Sequence, residues 1–223
     1  MLLGSDVLDS IGLRHGTDKS SGQGRHDYLR KYEFFLRPFR DSEFTLLELG
    51  VYKGASLRTW SEYFAKADIV GVDIEPQSME FDAGRARIVI GDLSKTDFLE
   101  SLAPLKPKIV IDDASHWWPD QLRALFALYP GLAPGSIYVL EDVDTSFEPL
   151  AKYFSAGLDV PPFSLLLKIA EYMTGDGRPN QITGDGPLVP LGRAEWFDRE
   201  IGQLAAMTDA LVFLEGSCLL VKK

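Results

Sequence analysis

The sequence has little of what extracellular and membrane proteins depend on. Its 223 residues include a single cysteine, Cys218, so no intrachain disulfide can form. No apolar stretch reaches the roughly 18–20 residues that a transmembrane helix needs, and the first ten residues lack a signal-peptide pattern. We therefore expect a protein of the reducing cytoplasm without a membrane partner. Cys218 lies in an apolar run, which favours a buried core thiol over a catalytic one.

Positive charge is also in short supply. The chain has 23 Lys and Arg residues against 33 Asp and Glu residues, which gives a formal net charge of −10. Such a field repels phosphate backbones, so a nucleic-acid partner is disfavoured unless a local basic patch overrides it. The remaining composition, 45% hydrophobic and 25% charged, is typical of a globular protein, and the length fits one domain over 1–223.

Short apolar runs alternate with helical patterns from residue 44 onward. The runs predict strands over 44–49, 68–74, 86–90, 108–112 and 137–140, and the helical spacing predicts helices over 55–64 and 119–129. Strands that are apolar throughout and separated by helices indicate a parallel sheet covered on both faces. Near the C-terminus, 211–214 and 218–221 flank a glycine-containing turn and predict an antiparallel hairpin. This α/β plan differs from a dinucleotide dehydrogenase, whose second half repeats βαβ units.

Two segments fit this plan less well. Residues 1–40 are predicted to be helical and contain Gly16-Thr-Asp-Lys19, which reads either as a helix start capped by Thr17 or Asp18 or as a cover over a cofactor or acceptor. Residues 157–192 are rich in Gly and Pro around one apolar segment, 163–169. They predict an irregular excursion, which is either a lid or a surface insertion.

Acids and glycines follow the first three predicted strands. Glu48 and Gly50 lie where the first strand turns into a helix, and Gly54 ends that turn. Glycine lets a backbone approach a ligand closely, and a helix N-terminus offers unpaired N–H donors. Asp73 ends the second strand, where an acid can accept hydrogen bonds from ribose hydroxyls. Asp92 ends the third, in reach of an adenine amine. Three acids at successive strand ends predict a nucleotide-binding edge.

The charge at this edge distinguishes between nucleotide cofactors. Glu48 at the turn would repel a pyrophosphate, but it suits the cationic sulfonium and amine of S-adenosylmethionine. We therefore predict S-adenosylmethionine rather than NAD. The predicted cofactor-binding residues are Glu48, Gly50, Tyr52, Gly54, Ser56, Asp73, Ile74, Gly91, Asp92 and Asp112.

Pairs of acids end the fourth and fifth predicted strands. They are Asp112-Asp113 and Glu141-Asp142, with His116 three residues beyond the first pair. Neighbouring strands lie about 4.8 Å apart and successive side chains point to opposite faces, so one acid of each pair should face the cofactor and the other an adjoining pocket. Clustered carboxylates repel one another, and a hard cation such as Mg²⁺ or Mn²⁺ relieves that repulsion. The alternative is that the acids cap the following helices and His116 is a polar loop residue.

These motifs together resemble a known family. The matching segments are Gly16-Thr-Asp-Lys19, His26, Tyr28, 47–57, 71–74, Gly91-Asp92, 111–116 and 138–142. The set is similar to the macrolide-sugar O-methyltransferases of the mycinamicin and macrocin type, over roughly residues 11–147. Ala114 and Ser136 stand where the family usually has glycine, and neither change removes a chemical group.

The resemblance implies a fold, a site and a reaction. It implies a Rossmann-like class I methyltransferase fold, with a mostly parallel seven-stranded sheet, a C-terminal antiparallel hairpin and helices on both faces. It also implies that Asp113, Glu141 and Asp142 ligate Mg²⁺ and that His116 is the general base. The implied reaction is methyl transfer to a hydroxyl of a sugar or glycosylated natural product, and a homo-oligomer is implied by the family alone.

Three other functions compete with this one. A catechol-like phenol would also present a diol to a metal, and cephalosporin-hydroxylase-like proteins carry similar strand-end acids. A non-catalytic relative that keeps a nucleotide pocket is the second alternative, which the metal-ligand and base residues argue against. A nicotinamide dehydrogenase is the third.

Equilibrium binding of the two cofactor types tests the nucleotide prediction. S-adenosylhomocysteine should bind the protein in a calorimetric titration, whereas NAD should give no signal, because Glu48 disfavours a pyrophosphate. Binding of NAD in preference to S-adenosylhomocysteine would favour the dehydrogenase.

Overall fold

A computed structural model describes residues 6–22, 26–81, 85–175 and 194–223. The described chain forms one seven-stranded sheet in the order β3-β2-β1-β4-β5-β7-β6. Strands β1 to β5 pair in parallel, and β7 runs antiparallel between β5 and β6. The strands are β1 Thr45–Leu49, β2 Asp68–Asp73, β3 Ala86–Ile90, β4 Ile109–Asp112, β5 Ile137–Leu140, β6 Thr208–Leu214 and β7 Ser217–Lys222. The predicted fold, including the C-terminal hairpin, is confirmed.

Helices cover both faces of the sheet. One layer consists of α1 Val7–His15, α2 Tyr28–Leu36 and α3 Ala55–Tyr63. The other consists of α4 Thr96–Ser101, α5 Trp118–Leu128, α7 Pro162–Thr174 and α8 Ala194–Ala206. The short helix α6 spans Ala151–Phe154. No helix in the described part of the chain is both long enough and apolar enough to cross a membrane.

The strand sequences follow from burial on two sides. In β1, Leu46 packs in the core beneath α1 to α3, whereas Leu47 and Leu49 pack in the core on the opposite face. Because alternate side chains enter two apolar layers, the strand needs apolar residues at nearly every position. Glu48 is the exception in β1, and it lies on the α1–α3 face near the strand end.

Two segments differ from their predicted structure. Within 157–192 the structure has the 13-residue helix α7, not an irregular segment. Pro162 occupies its first turn, where proline is tolerated, and Leu165, Leu166 and Ile169 are buried at helical spacing, so the prolines start a helix here. Residues 176–192 of the predicted excursion lie outside the described residues.

The second difference concerns the N-terminal segment. Neither Thr17 nor Asp18 caps a helix, because α2 begins at Tyr28. Gly16 instead ends α1 in the left-handed conformation, with φ 73°. The residues that follow turn toward the carboxyl ends of the parallel strands.

The buried thiol gives a test of the hairpin. Cys218 of β7 pairs with Leu140 of β5 and Phe213 of β6 and is fully buried, and burial raises the pKa of its thiol. A thiol reagent such as Ellman's reagent should therefore not react with the native protein but should react fully in guanidinium chloride. Rapid labelling of the native protein would contradict the position of β7 inside the sheet.

Candidate active site

A cavity of about 690 Å³ opens at the carboxyl ends of the parallel strands. Its position between β1 and β4, where the strand order reverses, is the usual ligand site of open α/β sheets, and its volume suits a nucleoside-sized ligand. Most of the predicted cofactor-binding residues line it: Gly50, Tyr52, Ser56, Asp73, Ile74, Gly91 and Asp92. Thr17, Asp18 and Lys19 of the N-terminal segment line it too, which agrees with the cover interpretation.

Asp73 fixes the turn after β1. Its Oδ2 accepts the N–H groups of Val51 (2.9 Å) and Tyr52 (3.0 Å), and its Oδ1 accepts that of Glu75 (2.9 Å). Burial disfavours its charge, but these backbone donors outweigh burial and lower the pKa of Asp73. The carboxylate therefore stays ionised at the cavity wall and holds the turn in place.

Gly50 and Gly54 lie where a side chain would prevent close packing of the backbone against its neighbours. Gly50 has φ 94°, and a Cβ there would lie 2.2 Å from the carbonyl oxygen of Asp113. The glycine therefore allows the ends of β1 and β4 to approach each other, in addition to leaving room for a ligand. Gly54 starts α3 in the left-handed conformation beneath Phe81 and is not among the residues that line the cavity.

Two predicted cofactor-binding acids lie behind the cavity wall. Asp112 is 1% exposed and its Oδ2 accepts a hydrogen bond from the Tyr138 hydroxyl (2.7 Å); burial raises its pKa to about 7. It points away from Asp113 because side chains alternate to the end of β4. Glu48 is fully buried, its Oε2 accepts from the Ser56 hydroxyl (2.8 Å), and burial raises its pKa to about 7.

Strand register gathers three carboxylates on one face of the sheet. Leu49 pairs with Asp112, and Asp112 pairs with Leu140, so Asp113 and Glu141 follow their strands side by side. Glu48 lies beside them because it precedes Leu49 by one residue. All three point toward the layer that contains α1 to α3, which places them next to the N-terminal segment.

Lys19 lies among these carboxylates. It is 2% exposed, and its ammonium bonds to Asp113 Oδ2 and Glu141 Oε2 and lies 3.8 Å from Glu48 Oε1. Burial alone would lower the pKa of Lys19, but the three carboxylates raise it well above its usual value. Lys19 is therefore a charged lysine in the interior. Within the part of the chain that the structure describes, Glu141 Oε1 is buried and makes no hydrogen bond.

Asp142 and His116 form the outer part of this cluster. His116 Nε2 lies 3.1 Å from Asp142 Oδ2, and ligand atoms of Asp113, His116 and Asp142 all lie within 4.8 Å of one another. Both His116 (φ 57°) and Asp142 (φ 51°) adopt the left-handed backbone conformation, which is uncommon away from glycine and concentrates at functional sites. The structure thus brings the implied base together with two of the three implied metal ligands.

Tyr28 approaches the same cluster from α2. Its hydroxyl donates to Asp142 Oδ1 (2.9 Å) and lies 3.2 Å from the carbonyl oxygen of Gly216. Burial and the nearby Asp142 and Glu141 carboxylates raise the pKa of Tyr28, so the hydroxyl stays protonated and donates.

Neither Lys19 nor Tyr28 was among the predicted site residues. Their motifs were visible in the sequence, but a lysine in a polar segment is usually exposed, and contacts across 94 and 114 residues leave no spacing signal.

Comparisons with known proteins define the class. No family model matches the chain. The MycE methyltransferase from the mycinamycin biosynthetic pathway, solved with Mg, SAH and mycinamycin VI, superimposes with a TM-score of 0.74 at 26% identity, over 96% of this chain and 54% of that one. A second MycE structure, with Mg and SAH, gives a TM-score of 0.76. The fold is that of the class I methyltransferases.

Curated relatives indicate which of the methyltransferases the chain is similar to. The 8-demethyl-8-alpha-L-rhamnosyl tetracenomycin-C 2'-O-methyltransferase of Streptomyces olivaceus is 36% identical over 202 residues, which are 81% of this chain and 51% of the relative. The mycinamicin VI 2''-O-methyltransferase of Micromonospora griseorubida is 36% identical over 135 residues, 56% of this chain and 33% of the relative. The chain is thus similar to sugar O-methyltransferases, as its motifs predicted. It spans about half the length of these relatives or less.

The position of Gly50 leads to a testable substitution. Gly50→Ala should lower the free energy of unfolding by about 3 kcal/mol, because it adds a backbone clash to the cost of a positive φ. It should also weaken S-adenosylhomocysteine binding, since the turn lines the cavity. Urea unfolding and calorimetry measure the two effects.

Gly157→Ala is the matched control. Gly157 also has a positive φ (81°), but a Cβ there would meet nothing within 4 Å. It should cost only about 1–2 kcal/mol and leave ligand binding intact. Equal effects of both substitutions would contradict the tight approach of β1 and β4.

Proposed function

We propose that this protein is an S-adenosylmethionine-dependent, Mg²⁺-dependent O-methyltransferase that acts on a hydroxyl of a sugar in a glycosylated natural product. The observation that carries the proposal is that one cavity joins the nucleotide edge, with Asp73 and Asp92, to Asp113 and His116. A methyl donor and a hydroxyl acceptor need this adjacency, because methyl transfer is an in-line displacement that depends on alignment. The relatives with sugar acceptors support the acceptor class.

The acidic cluster fits a divalent cation. Asp113 and Asp142 offer carboxylate oxygens within reach of one another, and the second oxygen of Glu141 is buried with no hydrogen bond from any described residue. Lys19 bonds to one oxygen of Asp113 and one of Glu141, so each carboxylate keeps an oxygen for another ligand. An oxygen donor set of this kind suits Mg²⁺ or Mn²⁺. We assign Asp113, Glu141 and Asp142 as the residues that would hold it.

The residues around the cavity have separate roles in the proposed reaction. When bound, S-adenosylmethionine supplies an activated methyl group, and Mg²⁺ lowers the pKa of a hydroxyl that contacts it. The turn held by Asp73 orients the methyl donor. His116 takes the proton of the acceptor hydroxyl at a ring nitrogen; its Nε2 lies 3.1 Å from Asp142 Oδ2 at the cluster. Asp142 Oδ2, 3.1 Å from Nε2, stabilises the imidazolium that results.

Charge and composition support a small acceptor and a cytoplasmic setting. With a net charge of −10, the protein favours a small acceptor over a nucleic acid. Its one cysteine is buried and needs no oxidising compartment, which supports a cytoplasmic location. The mycinamicin VI and rhamnosyl tetracenomycin C acceptors named for the relatives are therefore the first acceptors to test.

An acceptor panel tests the reaction itself. S-adenosylhomocysteine release should require both a glycosylated acceptor and Mg²⁺, and EDTA should abolish it. The panel contains mycinamicin VI, rhamnosyl tetracenomycin C, a simple methyl rhamnoside and a catechol. Release that persists in EDTA would contradict the metal-dependent mechanism, and turnover of the catechol alone would contradict the sugar acceptor.

Two substitutions separate the base from the metal ligands. His116→Ala should lower kcat by roughly 10²–10⁴-fold and leave Mn²⁺ and S-adenosylhomocysteine binding unchanged, because a base acts only in the transition state. Asp113→Asn should lose both Mn²⁺ binding and turnover. Steady-state kinetics and Mn²⁺ titration followed by electron paramagnetic resonance measure these effects.

Asp68→Asn is the control for the carboxylate-to-amide change. Asp68 lies half-exposed at the opposite end of β2, where its carboxylate is 3.3 Å from the Arg87 guanidinium. The Asp68→Asn substitution should leave both kcat and the Mn²⁺ affinity at wild-type values.

Loss of Mn²⁺ binding in the His116→Ala variant would contradict its role as the base and would make His116 a metal ligand.

A further inference from the structure

We propose that Lys19 and Tyr28 form a positioning clamp that orients the metal-binding carboxylates from the N-terminal segment. The proposal rests on the metal site proposed above. Lys19 holds one oxygen each of Asp113 and Glu141, and Tyr28 holds Oδ1 of Asp142. Together they contact all three carboxylates that we assign to the cation.

The two residues are connected through the backbone. The carbonyl oxygen of Lys19 accepts the N–H groups of Tyr28 (2.9 Å) and Leu29 (3.2 Å), which are unpaired donors at the start of α2. Lys19 therefore contributes to the helix start with its main chain and to the carboxylate cluster with its side chain. The position of one residue of the clamp constrains the position of the other.

Each residue is also fixed at its far side. The Tyr28 hydroxyl lies 3.2 Å from the carbonyl oxygen of Gly216 in the β6–β7 turn, and the same oxygen accepts the N–H of Val143 at 2.9 Å. A Cβ at Gly216 would lie 2.5 Å from the Tyr28 hydroxyl, so the turn fits closely around it. Stacking of Tyr28 on Tyr32, at 5.5 Å between ring centroids, holds the ring.

The clamp leaves one oxygen of Asp113 and one of Glu141 without a bond to Lys19. Because Lys19 uses Asp113 Oδ2 and Glu141 Oε2, rotation of either carboxylate would break a bond to a buried ammonium. Among the described residues Glu141 Oε1 makes no hydrogen bond, and Asp142 Oδ2 lies 3.1 Å from His116 Nε2. Groups that orient metal ligands in this way typically change metal affinity by roughly 10–100-fold when removed.

The effect of Lys19 on cation affinity tests the proposal, because a purely electrostatic role and a positioning role predict changes of opposite sign. Removal of a positive charge from an acidic cluster should tighten cation binding, if Lys19 only neutralises its neighbours. A positioning role requires that removal of the ammonium weakens cation binding. The sign of the change in affinity therefore distinguishes the two roles.

The experiment is a Mn²⁺ titration of the full chain followed by electron paramagnetic resonance. Lys19→Met should raise the Kd for Mn²⁺ roughly 10–100-fold, and Lys19→Gln, whose amide still donates to one carboxylate, should fall between Met and wild type. Tyr28→Phe keeps the ring and should raise the Kd by roughly tenfold. It serves as the test if the Lys19 variants do not fold.

Lys31→Met is the matched control. It also removes one positive charge, but from α2, where the Lys31 ammonium lies 3.1 Å from the Glu215 carboxylate, and it should leave the Kd for Mn²⁺ unchanged. Lys19→Met or Tyr28→Phe with wild-type or tighter Mn²⁺ binding would overturn the clamp. Absence of Mn²⁺ binding to the wild-type protein would instead overturn the proposed metal site. Binding of S-adenosylhomocysteine is measured separately and tests the cofactor site.

Discussion

The register of β1, β4 and β5 places Glu48, Asp113 and Glu141 side by side on one face of the sheet. Three carboxylates in the interior are costly unless cations compensate them, because burial disfavours charge. The ammonium of Lys19 compensates one of these charges, while burial raises the pKa of Glu48 to about 7 and that of Glu141 well above its usual value. This need for a cation explains why a lysine is buried in an otherwise apolar layer, and why the N-terminal segment passes over the carboxyl ends of the strands.

The N-terminal segment around Lys19 contributes both to the ends of two helices and to the carboxylate cluster. It ends α1 at Gly16, supplies Lys19 to the carboxylates and starts α2, whose first residue, Tyr28, contacts Asp142. The carboxylate cluster is therefore linked at Asp142, through the Tyr28 hydroxyl, to the β6–β7 turn at Gly216. Substitutions in this segment are expected to affect stability and the site together.

The local chemistry of the sequence predicted much of the fold but only part of the site. Apolar runs predicted β1 to β5 nearly to the residue, because strands buried on both faces leave a strong pattern. The helix α7 was missed because Pro161 and Pro162 resemble a loop signal yet suit a helix start. Alternation at the end of β4 was predicted to turn one acid toward the cofactor, and Asp112 was assigned there, whereas in the structure its carboxylate accepts from the Tyr138 hydroxyl behind the cavity wall.

By itself, the sequence determined the order of strands and helices and the acids at the strand ends, since both depend on neighbours within a few residues. Only the tertiary structure decided which oxygens of those acids are paired. Lys19 and Asp113 are 94 residues apart, and Tyr28 and Asp142 are 114 apart. Contacts over such distances depend on how layers pack, for which no local pattern exists. The partners of the carboxylates at the centre of the candidate site are therefore set by the packing of the N-terminal segment on the sheet.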